Sequence, residues 1–246
     1  HKAMMRFKEF SHCLSANNTK TAWVLKCDIR KFFDSVDHEI LVGVLFRGIA
    51  DQDILKLLKN VIGSFWIPDQ VRSDRGDGLP REYPARGRQD RNDRRIGLPL
   101  GNLTSQLLVN IYMNEFDQWV KHKLKVKYYI RYADDFVLLH DNKVGLEEII
   151  PKIADFLQER LRLALHPDKT FIQTFSSGTD FLGWVHFPDH RVLRSAAERK
   201  MMRTIIAKPK LAVVESYRGL LKHGNAIKLR KRIDNLFWLS KSSDTS

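Results

Sequence analysis

The stretch "KYYIRYADDFVLLH", residues 127–140, sets Asp134 beside Asp135 between two runs of strand-forming residues. A third carboxylate, Asp28, stands near the end of "TAWVLKCDI", residues 21–29, where Val24, Lys26 and Asp28 alternate with Leu25, Cys27 and Ile29 in the two-residue period of a strand. Three carboxylates brought within a few ångströms raise one another's pKa unless a cation sits among them. Oxygen ligands favour a hard ion such as Mg²⁺, with Mn²⁺ as the alternative. Two such ions about 3.5–4 Å apart can activate an attacking hydroxyl and stabilise the leaving oxygen of an in-line phosphoryl transfer. The plain alternative is a polar turn, since Asp is common in turns. The strand that carries Asp28 tips the balance toward metal binding.

The elements around these residues must bring them together. Asp34, Ser35 and Asp37 offer N-caps for a helix from about His38 through Leu45. From Leu103 to about His122 apolar residues recur every three or four positions, which predicts an amphipathic helix. Strands are expected at 127–132 and 136–140, a helix with Leu146, Ile149, Ile150, Ile153, Phe156 and Leu157 inward, and further strands at 164–175 and 181–187. The tail from Ser195 reads as basic and helical, broken near Pro209. Residues 68–101 are rich in Gly, Pro, Arg and Asp and predict a long loop. Its stretch from Arg72 to Arg95 could contact RNA, although the interspersed Asp residues favour a plain solvated loop.

Apart from the inserted helix, this order is β-α-β-β-α-β, an α+β ferredoxin-like layer with an open antiparallel sheet and helices on one face. The first and third strands of such a sheet are neighbours. Asp28 is therefore expected beside the hairpin tip of Asp134 and Asp135.

Composition narrows the partner. The 246 residues can bury a sizeable core, and 42 Lys plus Arg against 29 Asp plus Glu give a net charge of +13, the footprint of a nucleic-acid-binding protein. No apolar run approaches the roughly 18 residues of a membrane span and no signal pattern opens the chain, so a cytoplasmic protein without a membrane partner is expected. Cys13 and Cys27 are too few for a disulfide framework or a structural zinc site.

"DIRKFFDSVDH", "GLPLGNLTSQLLVNIYMNEFD" and "YADD" resemble, in order and spacing, three successive motifs of reverse transcriptases. "LHPDKT" and "DFLGW" resemble the two that follow, and "SYRGLLKHGNAIKLRKRI", 216–233, is similar to the start of the thumb. The resemblance implies a polymerase palm with a remnant of the fingers at 1–194 and the start of a helical thumb at 195–246. It implies two magnesium ions on Asp28, Asp134 and Asp135, with the main-chain carbonyl of Ile29 as a further ligand. By the same resemblance Phe33 meets the sugar of the incoming deoxynucleoside triphosphate, where its ring leaves no room for a 2′-hydroxyl. Lys169 matches a lysine near the leaving pyrophosphate. Lys222, His223, Lys228, Arg230, Lys231 and Arg232 are thumb candidates for the template and primer duplex. The chain starts within a family motif, which implies an N-terminally truncated enzyme.

Most of the family has a glutamine where this chain has Leu100, and Ser-Pro where it has Ser105-Gln106. An aliphatic residue with Ser-Gln resembles the reverse transcriptases of diversity-generating retroelements, which copy a template RNA unfaithfully at adenines. A small apolar side chain tolerates mispairs that a polar contact would penalise, and Gly101 beside it lets the backbone approach the nascent base pair or serves as a turn glycine. The expected partners are an RNA template, a DNA or RNA primer, deoxynucleoside triphosphates and, from the resemblance, a small basic accessory protein. The rivals are a group II intron-type reverse transcriptase and a non-catalytic RNA-binding palm module.

Overall fold

A computed structural model of the chain describes residues 2–65 and 95–243. Residues 72–94 of the Arg-rich stretch lie outside the described residues. In chain order the elements are α1 (Lys2–Leu14), β1 (Trp23–Asp28), α2 (Phe32–Ser35), α3 (His38–Gly48), α4 (Gln52–Ser64), α5 (Leu103–His122), β2 (Tyr128–Tyr132), β3 (Asp135–His140) and α6 (Lys143–Leu161). Then follow β4 (Phe171–Thr174), β5 (Thr179–Phe181), β6 (Trp184–His186), β7 (Arg191–Leu193), α7 (Ser195–Ala207), α8 (Leu211–Leu221) and α9 (Ile227–Ser243). Two compact units emerge: Leu25–Ile172, and His1–Val24 together with Gln173–Ser246.

The unit Leu25–Ile172 is built on a sheet of order β2-β3-β1-β4, so the first and third strands are neighbours as the sequence predicts. Phe136, Val137, Leu138 and Leu139 are all buried, which means that both faces of the central strand β3 are covered. Phe116 and Trp119 of α5 and Phe156 of α6 form an aromatic cluster. Trp119 stacks on Phe156 at 4.4 Å between centroids, and Phe116 meets the Phe136 ring at 5.1 Å. Cys27, on the face of β1 opposite Asp28, is fully buried, and burial pushes its thiol pKa well up.

Short polar side chains start these helices. Asp37 accepts from the main-chain N–H groups of Glu39 and Ile40, Asp51 from Asp53 and Ile54, Asn102 from Thr104, and Asn142 from Val144. Asp37 is 1% exposed and does more than cap. Its second oxygen takes the Arg162 guanidinium at 2.5 Å, just past the end of α6, while Tyr112 of α5 donates to the Leu161 carbonyl at 2.6 Å. A polar knot around buried Asp37 thus joins three helix segments.

In the other unit, β5-β6-β7 form an antiparallel sheet. Its core gathers Met4 of α1, Trp184, Leu193, Met201, Ile205, Val214, Leu221, Ile233 and Phe237.

Three sequence expectations change. Residues 164–175 are not one strand: a 3-10 turn at Pro167–Lys169 precedes β4, because Pro167 fixes the chain in a turn conformation. Residues 181–187 split at Leu182-Gly183, both at positive φ, into the facing strands β5 and β6. Of the three cap candidates for α3, Asp37 is the one that caps. Elements α1, α4 and β7 were not anticipated.

Candidate active site

Strand β1 delivers Asp28 at its last residue, and the chain then leaves through Lys31 in the left-handed region (φ 46) into the short α2. Main-chain bonds from Leu98 to the Phe33 carbonyl (2.7 Å) and from Gly97 to the Val36 carbonyl (2.8 Å) dock segment 96–98 against this turn. His38 adds a 2.7 Å bond between its Nε2 and the Gly97 carbonyl. The result is a cavity of about 370 Å³. Asp28, Asp34 and Asp134 line it together with Arg30, Lys31 and Lys169, and Ile29, Phe32, Phe33, Leu100 and His166 complete the wall.

Asp28 and Asp134 therefore share one cavity. Burial holds the Asp134 carboxyl above the usual carboxylate range, and the Asp28 charge adds to this against the pull of a backbone hydrogen bond and of Lys169. Lys169, at the end of its 3-10 turn, stands 3.2 Å from Asp28 Oδ2.

Asp135 is placed differently. As the first residue of β3 it faces Lys26 of β1, at 3.7 Å, rather than joining the cavity lining. Asp134 ends the turn while Asp135 begins the strand, and the change of backbone conformation between them aims the two carboxylates differently. Among the described residues, no three His, Cys, Asp or Glu side chains form a group able to hold a metal ion as they stand. Asp28 and Asp134 nonetheless fit a hard cation, for their mutual repulsion is what an ion between them relieves. The Ile29 carbonyl is a compatible neighbour. Ile29 pairs with Leu165 through bonds made by Asp28 O and Arg30 N, so its own carbonyl takes no part in that bridge.

The two adjacent phenylalanines both line the cavity, Phe32 buried at 3% and Phe33 half-buried. Leu100, 50% exposed, also lines the cavity. Gly101 has φ +82, with open space where a Cβ would project, so its backbone conformation is what calls for glycine. Gln106 lies exposed on the first turns of α5, outside the cavity lining.

Arg30, Lys31 and His166 belong to the wall without having been singled out from sequence, although all three lie inside the quoted motifs, and Asp34, read there as a cap candidate, belongs to it as well. Among the thumb candidates, Lys222, Lys228, Lys231 and Arg232 are exposed, whereas Arg230 is half-buried and bonds the Leu221 carbonyl at 2.6 Å. No helix among the described residues is long and apolar enough to cross a membrane.

A family model described as reverse transcriptase (RNA-dependent DNA polymerase) matches residues 1–186. Protein YkfC of Escherichia coli (strain K12) is 27% identical over 78% of this chain and 52% of its own length. Group II intron-encoded protein LtrA of Lactococcus lactis subsp. cremoris is 22% identical over 72% of this chain and 36% of its own. The chain thus spans about half the length, or less, of these curated relatives. Among solved structures, telomerase from Candida albicans in complex with a TWJ fragment of telomeric RNA aligns with a TM-score of 0.54 at 13% identity, over 96% of this chain and 42% of that one. At that identity the likeness is one of fold alone.

Proposed function

The chain belongs to the reverse transcriptase family, and we propose that it makes DNA on an RNA template by nucleotidyl transfer at the cavity of Asp28 and Asp134. The observation that carries this reading is the meeting of those two carboxylates with Arg30, Lys31 and Lys169 in one cavity, a donor set suited to a divalent cation and a triphosphate together. Asp28, Asp134 and the Ile29 carbonyl are the proposed ligands of Mg²⁺ or Mn²⁺. Asp135, now beside Lys26, would be the further carboxylate to hold such ions. Such ions, when bound, supply activation of the primer hydroxyl and neutralise charge on the leaving pyrophosphate.

The remaining roles fall to the chain's own side chains. Arg30 and Lys31 attract the triphosphate, and Lys169 is close enough to the carboxylates to give a proton or a positive charge to the departing pyrophosphate. The Phe33 ring closes the wall against a 2′-hydroxyl, selecting deoxynucleotides by clash. Gly101 shapes the turn behind Leu100, and Gln106 faces outward on α5 toward the template side. We retain the functional division into a palm with a remnant of the fingers, 1–194, and the start of a thumb, 195–246. In the thumb, exposed Lys222, Lys228, Lys231 and Arg232 are the proposed phosphate contacts to template and primer.

Within the family, the apolar Leu100 on the cavity wall favours the error-prone type found in diversity-generating retroelements, with the small basic accessory protein that this type implies. The similarity to LtrA favours a group II intron-type enzyme instead. Leu100→Gln separates them. Fewer misincorporations opposite template adenine support the first reading, and an unaltered error spectrum supports the second.

The proposal is tested by extending a DNA primer on an RNA template with Mg²⁺ and either deoxy- or ribonucleotides. DNA product that disappears in Asp28→Asn is expected. Absence of product, together with absence of Mn²⁺ binding that depends on Asp134, would favour the non-catalytic RNA-binding module.

A further inference from the structure

The turn that carries Asp134 is held by a side chain of its own hairpin that is anchored on α5. Arg131, the fourth residue of β2, is 8% exposed at its side chain and reaches acceptors on three residues. Its Nε and Nη2 bind the two oxygens of Asp117 on α5 at 2.8 and 2.7 Å, a bidentate pair that fixes the guanidinium plane. Its Nη1 donates to Asn110 Oδ1 at 3.2 Å and to the main-chain carbonyl of Ala133 at 3.0 Å. Tyr129 donates to the same Asp117 carboxylate at 2.7 Å, which fixes the orienting group in turn.

Ala133 immediately precedes Asp134 and sits in the left-handed region at φ 54, a conformation that L-residues other than glycine avoid. A local conformation of that kind persists where its surroundings over-determine it. Here the surroundings are one guanidinium nitrogen, itself clamped to a helix of the core. Rotation about Ala133 redirects the Asp134 carboxylate, so what fixes the first aims the second.

We infer that Arg131 is a positioning residue for Asp134: the relay Asp117–Arg131–Ala133 sets the hairpin tip and thereby points the Asp134 carboxylate into the cavity. The inference rests on the reading of Asp134 as a ligand of a divalent cation. Lysine cannot replace arginine here. A single ammonium does not bridge a carboxylate in bidentate fashion and reach a carbonyl on its other side.

The test is the binding of Mn²⁺ alone to the chain, followed by electron paramagnetic resonance of the free ion, with thermal unfolding measured on each variant. Arg131→Lys is expected to weaken Mn²⁺ binding by about 10–100-fold, as loss of an outer-shell partner does. Asn110→Ala, an exposed position, is expected to weaken it less and in the same direction. Gly183→Ala, in the other compact unit, is expected to lower the unfolding midpoint and leave Mn²⁺ affinity unchanged, which separates aim from stability. Wild-type affinity in Arg131→Lys overturns the inference. Should that variant fail to fold, wild-type affinity in Asn110→Ala overturns it instead. A wild-type chain whose Mn²⁺ binding is indifferent to Asp134→Asn overturns the reading of Asp134 and the inference with it.

Discussion

The β2–β3 and β5–β6 hairpins close in nearly the same way and are secured by different means. Ala133-Asp134 joins β2 to β3 between the paired residues Tyr132 and Asp135, and Leu182-Gly183 joins β5 to β6 between Phe181 and Trp184. Each two-residue turn begins with a non-glycine residue at φ 54. The second position differs. Gly183 is also at positive φ (81), as a two-residue turn matched to the strand twist prefers, whereas Asp134 is not. Each tip carbonyl accepts a bond at 3.0 Å, but Gly183 takes it from the main-chain N–H of Arg194 and Ala133 from the Arg131 side chain. Phe181 and Trp184 beside the second turn are buried, while Tyr132 beside the first is 61% exposed. A tip flanked by core is fixed by packing. A tip that presents a carboxylate to a cavity gives up that packing and relies on a polar clamp.

The largest test of this contrast is Asp134→Asn. Primer extension is expected to fall by about 100-fold or more, since charge stabilisation by a held cation contributes several kcal/mol. The unfolding midpoint at neutral pH is expected to stay or rise. A carboxyl with a raised folded pKa costs stability above its unfolded pKa, and that cost fades as pH falls. A clearly lower midpoint in Asp134→Asn would break the contrast.

The second hairpin responds to acid in the opposite sense. Buried His186 of β6, bonded to the Phe181 carbonyl, has its pKa lowered from 6.5 to about 4, chiefly by burial. The unfolded chain therefore takes up this proton first, and stability is lost as pH falls from about 6.5 toward 4. At about 1.4 kcal/mol per pH unit the loss is on the order of 3 kcal/mol. His38, also lowered by burial, adds a loss of the same sign. Urea midpoints at pH 7 and pH 4.5 should show the decline, and His186→Gln should flatten it. An equal slope in the variant would remove His186 from this role.

The turn residues themselves give the smallest effects. Gly183→Ala forces a side chain into the left-handed region and is expected to cost about 1 kcal/mol. Ala133→Gly relieves the same strain but frees the unfolded chain, so stability should change by no more than about 0.5 kcal/mol. Comparable losses at both turns would mean that they are fixed alike.

Much of this was legible in the residues. The three-and-four spacing from Leu103 to Val120 revealed the helix, although Leu103 and Leu107 stay exposed, and the two runs of strand-forming residues in 127–140 revealed the strand pair. Asp28 beside the hairpin tip followed from strand order alone. Other features depend on contacts distant in sequence. Phe7 and Met4 show which face of α1 is buried only once Phe175, Phe181 and Trp184 are in place. Strand β7 has three residues, too few for a period to show. The role of Arg131 is hidden for the same reason, since Asp117 lies 14 residues away and the Ala133 carbonyl becomes an acceptor only after the tip has turned. The partition of Asp134 into the cavity and Asp135 toward Lys26 needed coordinates, because a paired motif does not say which way each member faces.

Cys27, sealed on the face of β1 opposite Asp28, gives the chain a chemical clock. Its thiol is kept protonated and out of reach, while Cys13 on α1 is exposed. An alkylating reagent should consume Cys13 at once and Cys27 only when β1 opens. The ratio of the two labels then counts, molecule by molecule, how often the sheet that holds the carboxylates comes apart.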